Sequence, residues 1–498
     1  MGQFLFDVPE CLRQVLPTSF AERAYICGIE GVPFESRIQA TPSRITIRRG
    51  INDSGKLLIP VRVPNQGTMT LSTCSLRPET MPHALALEIA RGCCFRVRNQ
   101  SDVWERAGLR PTDTLKEHLQ HGTSAFLDSA QRRSDAENGC AAAITAIEQL
   151  ERAATELTEN YASHAVAYRM QSEQRIGTLC GATLHPPGCG GDAAAGHYVD
   201  AFNSVAARMT WSEIENDSGR YDYDAVDALL DWTESQNLRV IGGPLFDFYE
   251  KVLPHWVYLL EDNFDALVDS ITRFVESTVK RYQGRVHLWN CASGLNTTGP
   301  IRLSDEQVMR LTVAIVQTVR RCDAHTPVIV SLDQPMGEYL SENREGLSPL
   351  YFADALARTG IGINGVGLEF RIGYDRVGTL PRTKLDFGQT IDRWSMLGLP
   401  LLIQLSVPAH DQSDTTAIRP ADRMPLGPAK QNTTADQLRI AGGYIRAAMA
   451  RGIVHAILYE GFEEASPHTM PGSCLIDATG KPRPLLEYFK RIKSDFLQ

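Results

Sequence analysis

The 498-residue chain has no apolar run approaching the roughly 18 residues that a membrane-spanning helix needs, so no membrane association is expected. It has no excess of positive charge. Fifty Lys and Arg stand against 59 Asp and Glu, a net charge of −9, which argues against a nucleic-acid partner. It has no Gly-x-Gly-x-x-Gly after a strand and no Walker sequence, so no nucleotide cofactor is expected. It has no Cys-x-x-Cys pair. The eleven cysteines are scattered and odd in number, which leaves zinc and thioredoxin readings without support. His185 and His197 flank the Pro- and Gly-rich run 186–191, but no third ligand completes a metal site. No Gly-x-Ser-x-Gly elbow follows a strand. The opening Met1-Gly2-Gln3-Phe4-Leu5-Phe6-Asp7 lacks a basic region followed by an apolar stretch, and Phe6 stands where myristoylation needs Ser or Thr. The cytoplasm is therefore the expected compartment, and reduced, mostly buried thiols are the expected state of the cysteines.

What is present is a chain 43% hydrophobic and 22% charged, enough for sizeable cores in two to four domains. Residues 1–110 are taken as a β-rich N-terminal domain. Ala24–Cys27, Ser43–Ile47 and Lys56–Val63 are strand-rich, and Asn52-Asp53-Ser54-Gly55 reads as the turn of a hairpin between the last two. A small sandwich follows from this pattern. Residues 111–175 are taken as a helical linker pair, with helices over 113–133 and 135–173. Ile144, Ile147, Leu150, Leu157 and Tyr161 recur there at roughly helical spacing.

From 176 to 498 the pattern alternates. Strands are expected at 177–184, 201–206, 238–246, 285–291, 327–332, 363–370, 399–406 and 454–460. Helices are expected near 222–236, 262–283, 304–322, 382–396, 433–451 and 484–496. Eight short apolar strands with helices between them predict an α/β fold, a (β/α)8 TIM barrel. A doubly wound open sheet is the alternative. In a barrel, function belongs at the C-terminal ends of the strands.

Several segments of this region, in order, resemble glycoside hydrolase family 10, the endo-β-1,4-xylanases. They include Phe202-Asn203-Ser204-Val205 with Met209-Thr210-Trp211, then Gly219-Arg220-Tyr221-Asp222-Tyr223 and Val240-Ile241-Gly242-Gly243-Pro244. Further on come Leu253-Pro254-His255-Trp256, Arg281 to Trp289, Gly365-Val366-Gly367-Leu368, and Leu475-Ile476-Asp477 with Lys481 to Pro484. The resemblance implies a barrel acting on xylan through two carboxyl groups. A retaining glycosidase holds these about 5–5.5 Å apart, one as acid/base and one as nucleophile.

The departures shape the functional expectation. On the resemblance, the acid/base position is Gly294, the Asn before it is Ser293, and the nucleophile position is Gln404. Neither a glycine nor an amide can do that work. Sugar-binding positions differ too: Thr210, Gly243, Asp247, Phe248, Glu369, Arg371 and Tyr459 replace the family's residues. A non-hydrolytic barrel with a carbohydrate-binding or scaffold role is the expectation. Two alternatives stay open: an active glycosidase using relocated carboxylates, Glu369 and Asp333 first among them, and a structural or assembly protein. Candidate substrate-binding residues are Trp211, Asp247, Trp289, Asn290, Gln334, Arg371, Gln404, Tyr459 and Glu460, with an oligosaccharide as ligand. Trp211, Trp289 and Tyr459 are read either as stacking platforms or as core. Glu369 is either a relocated acid or the ion-pair partner of Arg371. His468 is expected at the surface. The polar run 409–433, with Asp411, Asp414, Arg419, Asp422, Arg423 and Lys430, is read as a lid or a surface loop.

Overall fold

The computed structural model describes all residues except Met1, Ile29, Glu30, Ser134, Asn343–Glu345, Lys430 and Gln498. The N-terminal strands are β1 (Gly2–Asp7), β2 (Tyr25–Cys27), β3 (Pro33–Phe34), β4 (Arg37–Thr41), β5 (Arg44–Arg49), β6 (Lys56–Val63), β7 (Gly67–Ser72) and β8 (His83–Ala84). They make two four-stranded sheets, β4-β5-β1-β8 and β3-β2-β6-β7. Ile45 and Ile47 from one sheet and Leu57, Ile59, Val61 and Leu71 from the other meet in one core.

The expected hairpin across Asn52–Gly55 does not form. β5 pairs with β1 and β4, whereas β6 pairs with β2 and β7. Both strands carry an apolar face of alternate residues, and the two faces bury against each other. The segment 50–55 is therefore a sheet-to-sheet crossover, braced by the Arg49 guanidinium donating to the Ser54 carbonyl at 3.2 Å. The edge-to-edge hairpins lie elsewhere, at Thr41–Arg44 and Val63–Gly67.

The helices preceding the barrel are α1 (Glu10–Val15), α2 (Phe20–Arg23), α3 (Leu85–Arg106), α4 (Asp113–Gln131) and α5 (Ala136–Glu173). α5 is the common beam. Its Cys140, Ala143, Ile147 and Leu150 enter the sandwich core, Ala153, Ala154 and Leu157 meet Trp104 and Leu385, and Val166 joins the barrel core. One expectation about the cysteines is corrected here. α1 lies across α5, bringing the Cα atoms of Cys11 and Cys140 to 6.6 Å, and the two are joined in a disulfide. The other nine are free thiols, six of them buried.

The remaining strands are β9 (Leu179–Leu184), β10 (Ser204–Ala207), β11 (Arg239–Gly242), β12 (Phe246–Asp247), β13 (Leu288–Asn290), β14 (Ala292–Ser293), β15 (Val328–Asp333), β16 (Gly365–Arg371), β17 (Leu401–Ser406) and β18 (Val454–Tyr459). Eight of them close a parallel barrel in the order β10-β11-β13-β15-β16-β17-β18-β9, with β12 and β14 paired outside it. The helices are α6 (Asp192–Ala201), α7 (Trp211–Ile214), α8 (Asp224–Ser235), α9 (Phe264–Tyr282), α10 (Asp305–Cys322), α11 (Pro349–Arg358), α12 (Lys384–Ser395), α13 (Thr434–Met449) and α14 (Pro484–Phe496). α6 and α11 were not expected from the sequence. Each has only ten residues, too few for a clear helical period.

Side chains alternate along a strand, and the register fixes which of them face inward. Ala206, Ile241, Leu288, Ile329, Leu402, Ala456 and Leu458 form an aliphatic layer inside the barrel. Two residues further along the same faces come Arg208, Asn290, Ser331, Gln404 and Glu460, all buried. The interior thus changes from aliphatic to polar toward the C-terminal mouth.

Candidate functional site

The mouth is organised around one guanidinium. Arg371, the last residue of β16, sits within 2.6 Å of Asp333 Oδ1, 2.6 Å of Glu369 Oε2 and 2.9 Å of Glu460 Oε1. Only 2% of its surface is exposed. A second cation, Arg419, reaches in from the segment after β17 and donates to Asp247 at 2.8 Å, with Asp333 3.5 Å away. A third, Arg208, closes on the other oxygen of Asp247. Ser293 donates to Glu369 Oε1 at 2.6 Å. Three arginines and four carboxylates therefore form one connected, buried network.

Its electrostatics follow from this unequal count. Burial raises the carboxyl pKa of Glu369, Arg371 opposes the rise, and Asp333 and Glu460 reinforce it, leaving the group above its ordinary value. Asp247 moves the other way. Burial works against its charge, but Arg419, Arg208 and Arg371 outweigh it and hold the carboxyl below the ordinary range. Each sign is what opposite and like charges in a desolvated site require.

The structure brings Asp247, Asp333, Glu369, Arg371 and Glu460 together. Gln404 lies beside them, in register with Glu369. Gly294 follows β14 with φ +76°, and a Cβ built there would find Asp247 Oδ1 and Phe248 no nearer than 3.9 Å. Gln334 is in the left-handed region, φ +46°, and its side-chain amide donates to the Arg376 carbonyl at 3.3 Å. Asn290 faces the interior, where its Oδ1 has no partner among the described residues.

The aromatic candidates are core rather than stacking platforms. Trp211 packs against Trp256 and Phe274 and donates to Glu215 at 2.7 Å. Trp289 is fully buried and donates to Asp323 at 3.0 Å. Tyr459 is fully buried, its hydroxyl among Val407 and Gln437. None of the three rings offers a free face to a sugar.

Two further expectations are corrected. His468 is buried, not at the surface. It bonds Asp414 at 2.9 Å and the Ser466 carbonyl at 2.9 Å. Burial lowers its pKa, but the Asp414 carboxylate prevails and carries it up to about 11. The run 409–433 is neither an open lid nor a loose surface loop where it is described; Lys430 lies outside the described residues. Asn432 bonds Asp411 and the Met424 carbonyl, Leu426 is fully buried, and Arg419 plugs the mouth.

Sequence reading missed Arg208 altogether. Its signal is a lone cation two residues beyond Ala206 on the inward face of an otherwise apolar strand. His185, read only as flanking a loop, stands just past β9 with both ring nitrogens buried and unpartnered among the described residues, and so do Thr183 Oγ1, Thr210 Oγ1 and Ser331 Oγ. Buried groups of this kind bond to water or to a polar guest. Among the described residues no group of three or more His, Cys, Asp or Glu is placed to hold a metal ion.

Comparison with known proteins bears on the barrel. Residues 171–298 match the family model Glycosyl hydrolase family 10. The chain is 30% identical over 82 residues to endo-1,4-beta-xylanase 2 of Claviceps purpurea, covering 16% of this chain and 24% of that protein. It is 28% identical over 97 residues to endo-1,4-beta-xylanase 3 of Hypocrea jecorina, covering 19% and 27%. The chain thus spans about a quarter of the length of these curated relatives. Among solved structures it is similar to native xylanase 10B from Thermotoga maritima, at 14% identity and a TM-score of 0.49, over 65% of this chain and 97% of that one. Xylanase 10B from Thermotoga petrophila, in complex with xylobiose, gives 16% and 0.47 over 66% and 96%.

Proposed function

We propose that this barrel, of which residues 171–298 match the glycosyl hydrolase family 10 model, is a non-hydrolytic member of that family whose mouth has become a structural core. The observation that carries this reading is Arg371 bound at 2.6–2.9 Å to three carboxylates at once, 2% exposed. Glycoside cleavage needs one carboxylic acid free to protonate the leaving oxygen and one carboxylate free to attack or to activate water. Here every carboxylate at the mouth is in contact with an arginine, and the positions that resemble the family's acid/base and nucleophile hold Gly294 and Gln404. A sugar would have to displace both Arg371 and Arg419 to reach the polar interior. Interaction with partners then falls to the outer surfaces of the barrel, sandwich and helices.

One observation favours a second reading, hydrolysis by relocated carboxylates. Glu369 Oε2 and Glu460 Oε1 both contact Arg371 Nη2, at 2.6 and 2.9 Å. They are therefore no more than about 5.5 Å apart, which does not exceed the upper limit of a retaining pair. That chemistry requires Arg371 to leave the space between them.

One assay separates the two. The purified full chain is offered aryl β-xylobioside and a panel of other aryl glycosides, with Glu369→Gln alongside, and xylo-oligosaccharides by calorimetry. The expected result is no turnover above a heat-inactivated control and no binding heat. Turnover abolished by Glu369→Gln would overturn the non-hydrolytic reading. Binding heat without turnover would replace the structural-core role with carbohydrate binding.

A further inference from the structure

The sheet β3-β2-β6-β7 has a second face. Ile26, Leu57, Ile59 and Leu71 turn into the sandwich core, so their neighbours along the strands point the other way. The outer face of such a sheet is ordinarily solvated, yet Tyr25, Cys27 and Thr70 on this one are 3%, 3% and 1% exposed. The barrel covers them. The two bodies are clamped together around this face. Arg96 of α3 pairs with Asp386 of α12 at 3.2 Å, Gln100 bonds Gln389 at 2.9 Å, and Arg382 pairs with Glu338 and Tyr25.

The clamp does not close the space completely. Between the sheet face and the segments 335–340 and 348–358 with α12 lies a cavity of about 750 Å³, within the size range of small-molecule sites and at an inter-domain junction where such sites concentrate. Its walls are largely apolar: Leu58 from the sheet, and Met336, Leu340, Leu350 and Leu397 from the barrel. At the rim Tyr351 and Met396 are 51% and 85% exposed and extend the apolar lining to the surface. The polar groups converging on the cavity are mainly cationic. Lys56, Arg96, Arg358, Arg382 and Arg393 face only Asp354 and Asp386 among the lining residues, in a chain whose net charge is −9. Arg96, Arg358 and Arg382 are held by carboxylates; Lys56 makes no ion pair among the described residues. Thr70 Oγ1 and Arg382 Nε and Nη1 lie buried in the wall without hydrogen-bond partners.

The geometry points to a binding site, distinct from the barrel mouth, for a small amphiphile with an apolar body and one anionic head. The body packs between Leu58 and Leu350, and the head meets Lys56. This site is independent of whether the barrel hydrolyses glycosides.

The test uses the full chain and 1-anilinonaphthalene-8-sulfonate, an aromatic sulfonate of the stated chemistry, read by fluorescence. Decanoate, decanol and inorganic phosphate serve as competitors. The expected result is saturable dye binding displaced by decanoate at least tenfold more effectively than by decanol, with phosphate inert. Lys56→Glu should weaken decanoate at least tenfold with unchanged thermal midpoint. Met336→Trp, which fills the cavity from the barrel side, should abolish dye binding even if Lys56→Glu misfolds. No saturable binding, displacement by phosphate alone, equal potency of decanol, or dye binding retained in Met336→Trp would each overturn the assignment.

Discussion

Replacing Arg371 by methionine is the perturbation that most directly probes the closed mouth. Methionine keeps much of the side-chain volume but removes the cation on which Asp333, Glu369 and Glu460 converge. Breaking a buried pair from one side costs about 3–5 kcal/mol, because the abandoned charge stays buried. A domain of this size moves in midpoint by about 2 °C per kcal/mol at the low end, so the barrel should melt roughly 6–10 °C lower at neutral pH. The loss should depend on pH in a definite direction. The carboxyl of Glu369 already lies above its ordinary value of 4.5, with burial the main cause and Arg371 the chief restraint. Without Arg371 it rises further. A carboxyl raised in the folded state favours folding below its unfolded pKa and loses that contribution as pH rises through the folded value. The deficit of Arg371→Met is therefore greatest near pH 7–8 and shrinks toward pH 4–5 as the Glu369 carboxyl takes up its proton. Replacing Asp333, Glu369 and Glu460 by apolar residues as well should recover much of the loss, since whole buried ion clusters are often exchangeable for packed hydrophobes. Calorimetric melts of the full chain between pH 4.5 and 8 read both effects. A shift below about 2 °C at pH 7, under 1 kcal/mol by the same conversion, or a deficit independent of pH, would refute the locked mouth.

Other outcomes follow from the same geometry. The His468 imidazole, carried up to about 11 against its burial by Asp414, should stay doubly protonated through pH 8 in nitrogen-detected NMR. Its contribution to stability should be complete below about pH 6.5 and lost only as pH rises through about 11; Asp414→Asn should bring the titration down into the range below pH 8. Trp211→Ala should cost about 3–5 kcal/mol as a core truncation and show in the thermal midpoint, with no separate change in affinity for xylo-oligosaccharides. Arg96→Met leaves Glu151, 1% exposed on its side chain, without its cation. It should lower stability by about 3–5 kcal/mol and raise amide exchange in α3 and α5 before it does so in the barrel strands. Wild-type exchange in both would argue that the ion pairs do not hold the sandwich to the barrel.

Local pattern was enough for the barrel strands because each is a short apolar run with its own period, and parallel strands buried on both faces must look that way. Glu369 and Arg371 were legible as a two-residue alternation at a strand end, so their pairing needed no long-range information. The false hairpin at Asn52–Gly55 shows the limit. A turn signal and two alternating strands are the same whether the strands pair along their edges or stack by their faces, and the choice rests on which other strands compete for each edge. The three candidate aromatics were equally ambiguous. Trp211, Trp289 and Tyr459 have the same composition as stacking platforms or as core, and only the neighbours that surround them separate the two.

By itself the sequence determined the eight-strand alternation and the family resemblance. These are properties of residues in order along the chain. Tertiary structure alone decided that Asp247, Asp333 and Glu460, each separated from Arg371 by 38 to 124 residues of sequence, would close around it, and that Arg419 would swing in from a polar segment as a second cation. It likewise decided that the outer face of the N-terminal sheet would become a cavity wall. The physical reason is common to the first two. A charge buried beside an opposite charge is stable where the same charge alone is not, and whether it has that partner depends on the closure of the barrel, not on the residue next to it.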